Sequence, residues 1–329
     1  MTLIELLVST AILSTLMALI VPGVMSARSA ARTTECLNHL RQLGIAEINY
    51  ESSRGGSVPP LEDGTAPGNW VFYLLPHLDQ AAVYRELADL RSASPSGGPP
   101  SGVPGLAAIS IPDEPAGLPE VPHLSVLTCP VDEVHFGINA GLSYVANAGY
   151  MRHGYWGTAG DTNHTLEAYT ESSPSWSQTV TQATGVFFRS TLGRDRLKPQ
   201  FTDGRSQTIL FTENLQAGDF MSPYTGDIGF GVPGAYAEMP GPAVAGPGIL
   251  ELGVSFFPFA DATINASFES ATQGEAPRPS SHHYQGVNVV FADGSSRFLN
   301  ESINDFVYYR LVGSSGSTYG QRLVSDSSY

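Results

Sequence analysis

The sequence predicts an α+β protein: one long N-terminal helix, apolar in its first half, packs its second half on a predominantly antiparallel β-sheet head with long Pro/Gly-rich loops. Three observations predict this. The run Leu6 to Ala27 carries no charge and measures about 33 Å as a helix, enough to cross a bilayer core. Between Arg28 and Arg54 the residues Leu37, Leu40, Gly44 and Ile48 recur at spacings of three and four, with Cys36 and Leu43 beside them, which marks one helical face. Beyond residue 55, short runs rich in β-branched and aromatic residues alternate with stretches dense in Gly and Pro.

The apolar run begins MTLIE and continues into an amphipathic pattern, whereas a secretory signal peptide has a basic start and a small-residue cleavage site. The segment is therefore read as retained: residues 1–28 form the membrane or core half of the helix, 29–54 the half that docks on the head, and 55–329 the head. Pro22 removes a backbone hydrogen bond and Gly23 weakens the helix, so a kink or local melting is expected there. Glu5 costs several kcal/mol near the start of an apolar span unless it finds a partner, and an α-amino group is the nearest candidate. Arg28 and Arg32 follow the span while only Glu5 precedes it, an arrangement that by itself places the head in the cytoplasm.

The head is long enough for a real core, with 42% hydrophobic residues in a chain of 329. Its 35 glycines and 24 prolines imply long loops, placed at 91–122 and 234–249. GVFFRSTL, QTILFTE and GVNVVFADGSSRFL read as strands, the last as a hairpin turning at Asp293-Gly294. A net charge of −15 without any Lys/Arg run excludes nucleic acid as a natural partner. Two cysteines, Cys36 and Cys129, are too few for a disulfide scaffold and form no C-x-x-C pair.

The run Met1-Thr2-Leu3-Ile4-Glu5-Leu6-Leu7-Val8 resembles the processed N-terminus of type IV pilins and type II secretion pseudopilins. That resemblance implies removal of a basic leader by a prepilin peptidase, which reverses the topology expected from Arg28 and Arg32 and puts the head outside. It also implies N-methylation of residue 1 and pairing of Glu5 with a neighbouring subunit's amino group. Residue 1 is Met where that family more often has Phe, so Met1 is either the processed residue or an initiator. Further blocks are similar to a large bacterial family of pilin-like proteins ending in a His-x9-Asp-Gly signature. They are ECLNHLRQLGIAEINYESSRGGSVPP, LTCPVDE, SYVANAG, FTDGRSQTILFTEN and SSHHYQGVNVVFADGSSRFLNESI, with His283, Asp293 and Gly294 at the signature's spacing. The Pro/Gly insertions match neither family. A Cys in the helix and a Cys in a Cys-Pro block recur there, which implies a Cys36–Cys129 disulfide clipping head to helix, the alternative being two buried thiols. Closing a loop of about a hundred residues is worth about 4 to 5 kcal/mol in the chain-entropy description.

Other motifs carry less. Gly229 to Gly234 satisfies G-x-G-x-x-G, but AYAEMPGP cannot supply the helix that a dinucleotide site needs. His282, His283 and Asp293 lack a third ligand, and adjacent His residues on an extended segment face opposite ways. His283 is read as bonding a neighbouring loop and Asp293 as shaping its turn. Calcium is the one ion to consider for this acidic head, with Asp203, Glu213 and Asp293 as candidate oxygen donors, although no EF-hand spacing occurs. Asn163, Asn265 and Asn300 head glycosylation sequences.

No cofactor and no catalytic constellation is expected, so an enzyme is the least favoured class. The favoured one is a structural subunit, held first in the inner membrane and then in an extracellular filament or at the cell surface. Its partners are copies of itself, the prepilin peptidase and the pilus or secretion assembly machinery. A type II secretion pseudopilin is the alternative, as is a pilin-anchored adhesin or glycan-binding protein suggested by Trp70, Trp156 and Trp176.

Overall fold

A computed structural model describes residues 2–63, 68–93, 121–152, 184–188, 198–222, 225–238, 254–258, 263–266, 278–319, 321 and 323. Helix α1 (Leu3–Ser53) is a single 51-residue element, about 77 Å long. Thr2 caps its start: the Glu5 amide donates to Thr2 Oγ1 and the Thr2 amide to Glu5 Oε2, a reciprocal capping box. The C-cap Arg54 donates its amide to Tyr50 and Glu51, after which Gly55 and Gly56 take left-handed φ values of 65° and 85° and turn the chain away.

The two halves of α1 differ in surroundings. Every described residue through Arg32 is exposed, whereas Cys36, Leu40, Leu43, Gly44, Ala46, Glu47 and Tyr50 are buried. The buried stripe thus centres on 36-40-43-47-50, about one position off the expected 37-40-44-48, and Leu37 and Ile48 lie at its margins. The helix runs unbroken across Pro22-Gly23, so the local melting expected there does not occur in the isolated subunit. Pro22 costs a helix interior about 3 kcal/mol, a local loss that the hydrogen-bonded turns on either side of it carry.

Six strands form one mixed sheet: β1 (Tyr144–Arg152), β2 (Ile209–Glu213), β3 (Gly229–Glu238), β4 (Val254–Pro258), β5 (Gly286–Phe291) and β6 (Ser296–Asn300), in spatial order β4-β3-β1-β2-β5-β6. All neighbours are antiparallel except β1 and β3, which run parallel. With α1 alongside, this is the α+β fold that the sequence predicts. The Asp293-Gly294 turn joins β5 to β6, with Gly294 at φ 82° and Asp293 Oδ1 accepting from the Ser295 amide and hydroxyl.

Two segments depart from expectation. Gly185 to Phe188 is irregular rather than a strand, because the Val186 and Phe187 amides are used on the Asn147 carbonyl, where β1 bulges. Strand β3 extends through Glu238, into the stretch read as loop, and α3 (Ala81–Ala93) runs to the edge of the other. Residues 94–120 and 239–249 of those stretches lie outside the described residues. The literal G-x-G-x-x-G is the first part of β3, with no helix following within the described residues.

Helix α1 lies along β5, β6 and β2, while α5 (Asp305–Val312) lies against β1, β2 and β3. Strands β2 and β5 are therefore buried along their whole length. Gly44 is the point of closest approach: a Cβ there would sit 2.7 Å from Val290 Cγ2. The short helices α2 (Trp70–Leu74) and α4 (Thr225–Ile228) meet where Trp70 Nε1 donates to the Ile228 carbonyl at 2.8 Å. Trp70 is fully buried against Phe187 and Phe211, so it is a core residue and not a ligand platform; Trp156 and Trp176 lie outside the described residues.

Candidate functional site

Four of the residues singled out in the sequence, Cys36, Cys129, Glu213 and His283, converge on one junction between α1 and the sheet. Cys36, on the inward face of α1, is disulfide-bonded to Cys129, at the start of the turn that leads toward β1. Cys129 is held by its amide donating to Ser143 Oγ, which donates to Asp132 Oδ2 at 2.7 Å. Burial raises the Asp132 carboxyl, but the hydrogen bond and charge of His135 at 2.8 Å, together with Ser143, outweigh it and leave the group below its ordinary range. His39, one turn along α1 from Cys36, contacts the Thr128 carbonyl through Nδ1 at 3.1 Å, and burial pulls its pKa down.

His283 reaches the same junction from the segment preceding β5. Its Nε2 lies 3.4 Å from Cys129 Sγ and 3.1 Å from Glu213 Oε1, and its Nδ1 lies 3.1 Å from Thr33 Oγ1 on α1. It therefore bonds a strand and the helix as well as the loop at Cys129, because the Ser281 hydroxyl, bonded to the Gly286 carbonyl, accepts the His283 amide and turns the ring inward. Glu213 ends β2 and is gripped by Asn288 of β5: the amide donates to Oε2 at 2.8 Å and Nδ2 to Oε1 at 2.9 Å. Cys36, Cys129, Glu213 and His283 are all buried.

The expected oxygen donors for calcium are engaged separately. Asp203 accepts the Gly316 and Ser317 amides and pins the C-terminal segment, Glu213 is at the disulfide junction, and Asp293 is in the exposed hairpin turn. His282 does not join the His283 cluster. Asn265 donates to Glu301 and Asn300 accepts from Ser302, while Met1 and Asn163 lie outside the described residues.

A second clamp holds the end of α1. Arg205 donates to both carboxylate oxygens of Glu51, at 2.8 and 2.5 Å, and lies over the Phe201 ring. One turn back, Glu47 is fully buried, and neither carboxylate oxygen has a hydrogen-bond partner among the described residues. Burial first, then the Glu51 charge, pushes its pKa up to about 8, with Arg205 pulling the other way. Sequence reasoning missed Glu47, Thr33 and Asn288. The spacing Leu40-Leu43-Glu47-Tyr50 does carry a signal, since it puts a carboxyl in the middle of an apolar stripe.

The family described as "Protein of unknown function (DUF1559)" matches residues 25–305. The chain belongs to this family. The matched region contains every residue of the disulfide junction and of the Arg205 clamp, whereas most of the apolar half of α1 precedes it. No curated protein and no solved structure matches the chain. The DUF1559 match thus covers the docked half-helix and the head as far as the start of α5, and α1 is the one described helix long and apolar enough to cross a membrane.

Proposed function

We propose that this chain is the structural subunit of an extracellular type IV pilus-like filament, assembled through its N-terminal helix. The observation that carries this reading is the asymmetry of α1. Leu3 to Met25 present apolar side chains on all sides and touch nothing of their own head, while Cys36 to Tyr50 are bonded and packed into it. A helix apolar all round requires another apolar environment. Lipid supplies it before assembly and the same half-helix of other subunits supplies it afterwards, the repeated head-to-tail contact giving a helical polymer. The DUF1559 membership and the N-terminal resemblance to pilins support the same reading.

In this reading a prepilin peptidase exposes residue 1, and Glu5 exchanges its hydrogen bond with the Thr2 amide for the amino group of a neighbouring subunit. The test is side-chain-resolution cryo-electron microscopy of filaments sheared from the native cells. The expected result is this chain in the filament, with residue 1 beside a neighbour's Glu5. Abundant filaments without this chain, which itself stays in the cell envelope, overturn the proposal in favour of a pseudopilin.

A further inference from the structure

We propose that the disulfide junction is also a metal site, in which reduction of Cys36–Cys129 frees two thiolates that hold a zinc ion together with His283 and Glu213. Among the described residues this is the one cluster of metal-ligating side chains, and its four ligand atoms lie within 4.8 Å of one another. A tetrahedral zinc with ligand bonds of about 2.0 to 2.3 Å needs ligand atoms about 3.3 to 3.8 Å apart. His283 Nε2 already stands 3.4 Å from Cys129 Sγ and 3.1 Å from Glu213 Oε1. The two sulfurs, once unbonded, have to separate, and every other ligand pair lies within 4.8 Å, so the adjustment is one of side chains. A two-sulfur, one-nitrogen, one-oxygen set suits zinc better than the hard cations, which prefer all-oxygen shells.

The supporting residues are those a metal site requires. Thr33 Oγ1 donates to the Ser29 carbonyl and so offers its lone pairs to His283 Nδ1. When a metal displaces the Nε2 proton from its bond to Glu213, Thr33 is there to accept the proton at Nδ1, and the Nε2 lone pair is left for the metal. Asn288 holds both oxygens of Glu213 from the β5 side and leaves Oε1 a free lone-pair direction toward Nε2 and the sulfurs. A small cavity bordered by Cys129, Asp132, Glu213, Ser281 and His282 adjoins the cluster.

The steps balance. A dithiol gives two electrons and two protons to the Cys36–Cys129 bond and becomes a disulfide itself, leaving two thiols. Zinc then displaces one proton from each thiol, while the imidazole proton moves from Nε2 to Nδ1. The metal takes over from the covalent bond, so α1 stays fastened to the 127–133 segment, β2 and the entry to β5 in either redox state. This does not depend on the filament reading.

The test uses the full chain in detergent, reduced anaerobically with a phosphine and titrated with Co2+ as a spectroscopic probe, then with Zn2+. The expected result is one Co2+ per chain with thiolate charge-transfer and tetrahedral ligand-field bands, displaced by Zn2+, and no binding to the oxidised chain. Cys36→Ser with Cys129→Ser abolishes binding, and His283→Ala and Glu213→Gln each weaken it about 10- to 100-fold. Thr33→Val, which leaves all four ligands in place, weakens it about 10-fold. Circular dichroism of each oxidised variant first establishes its fold. The proposal is overturned by absence of metal binding to the reduced chain, by binding unaffected in the His283 and Glu213 variants, or by loss of the head's β signal on reduction.

Discussion

Glu47 and Gly44 are neighbours on α1 whose chemistry is set by what the sheet brings to them. Burial holds Glu47 protonated up to about pH 8, and burial, with the repulsion of Asp227, raises Asp219 to about 7. In the unfolded chain both titrate near pH 4, so between about pH 4 and 8 the native state binds more protons. Their contribution to stability is complete below pH 4 and is lost as pH rises through 7 and 8. The urea midpoint of the head is expected to fall from pH 5 to pH 9, and Glu47→Gln is expected to remove much of that slope and to stabilise the protein at pH 9. At Gly44, a larger side chain meets Val290 across a backbone approach that leaves no room. Gly44→Leu is expected to destabilise the head by about 1 to 3 kcal/mol despite the better helix propensity of Leu, measured by denaturant unfolding.

At the scale of elements, α1 is attached to the head at two points along its docked half. The disulfide fixes the middle of the helix, and Cys36→Ser is expected to cost about 2 to 5 kcal/mol by denaturant unfolding, chiefly by freeing the unfolded chain. Arg205 fixes the end through a half-exposed bidentate pair, so Arg205→Ala is expected to cost only about 1 kcal/mol. Its clearer readout is local: hydrogen exchange of amides 48–54 should accelerate while those near Cys36 stay protected. The two effects separate the clamp that closes a long loop from the clamp that stops fraying.

For the whole molecule, the contrast between the halves of α1 predicts two behaviours from one chain. The full chain is expected to sediment as a detergent-bound or self-associated species, because its exposed apolar half-helix is too large a patch to remain in water. A fragment of residues 29–329 keeps Thr33, the disulfide and the Glu51–Arg205 pair, and is expected to be folded and monomeric by analytical ultracentrifugation without detergent. A fragment that aggregates while retaining its β signal would show that the head carries its own assembly surface.

Much of this was legible in the sequence, and the reasons are local. An uncharged run long enough to span a bilayer, an i, i+3, i+4 stripe and an Asp-Gly between alternating strands each need only neighbours along the chain to be read, so α1, its two halves and the β5–β6 hairpin followed from residues alone. Strand β3 did not, because Gly-Phe-Gly-Val-Pro-Gly has poor strand propensity and is held extended by its pairing with β1 and β4. Nor did the junction. Thr33, Cys36, Cys129, Glu213, His283 and Asn288 come from four separate stretches, and only the packing of α1 on β2 and β5 brings them within bonding distance. The sequence by itself determined which segments are helix, apolar run and hairpin, since those depend on local periodicity. Tertiary structure alone decided which polar side chains were buried together, since burial depends on what lands opposite.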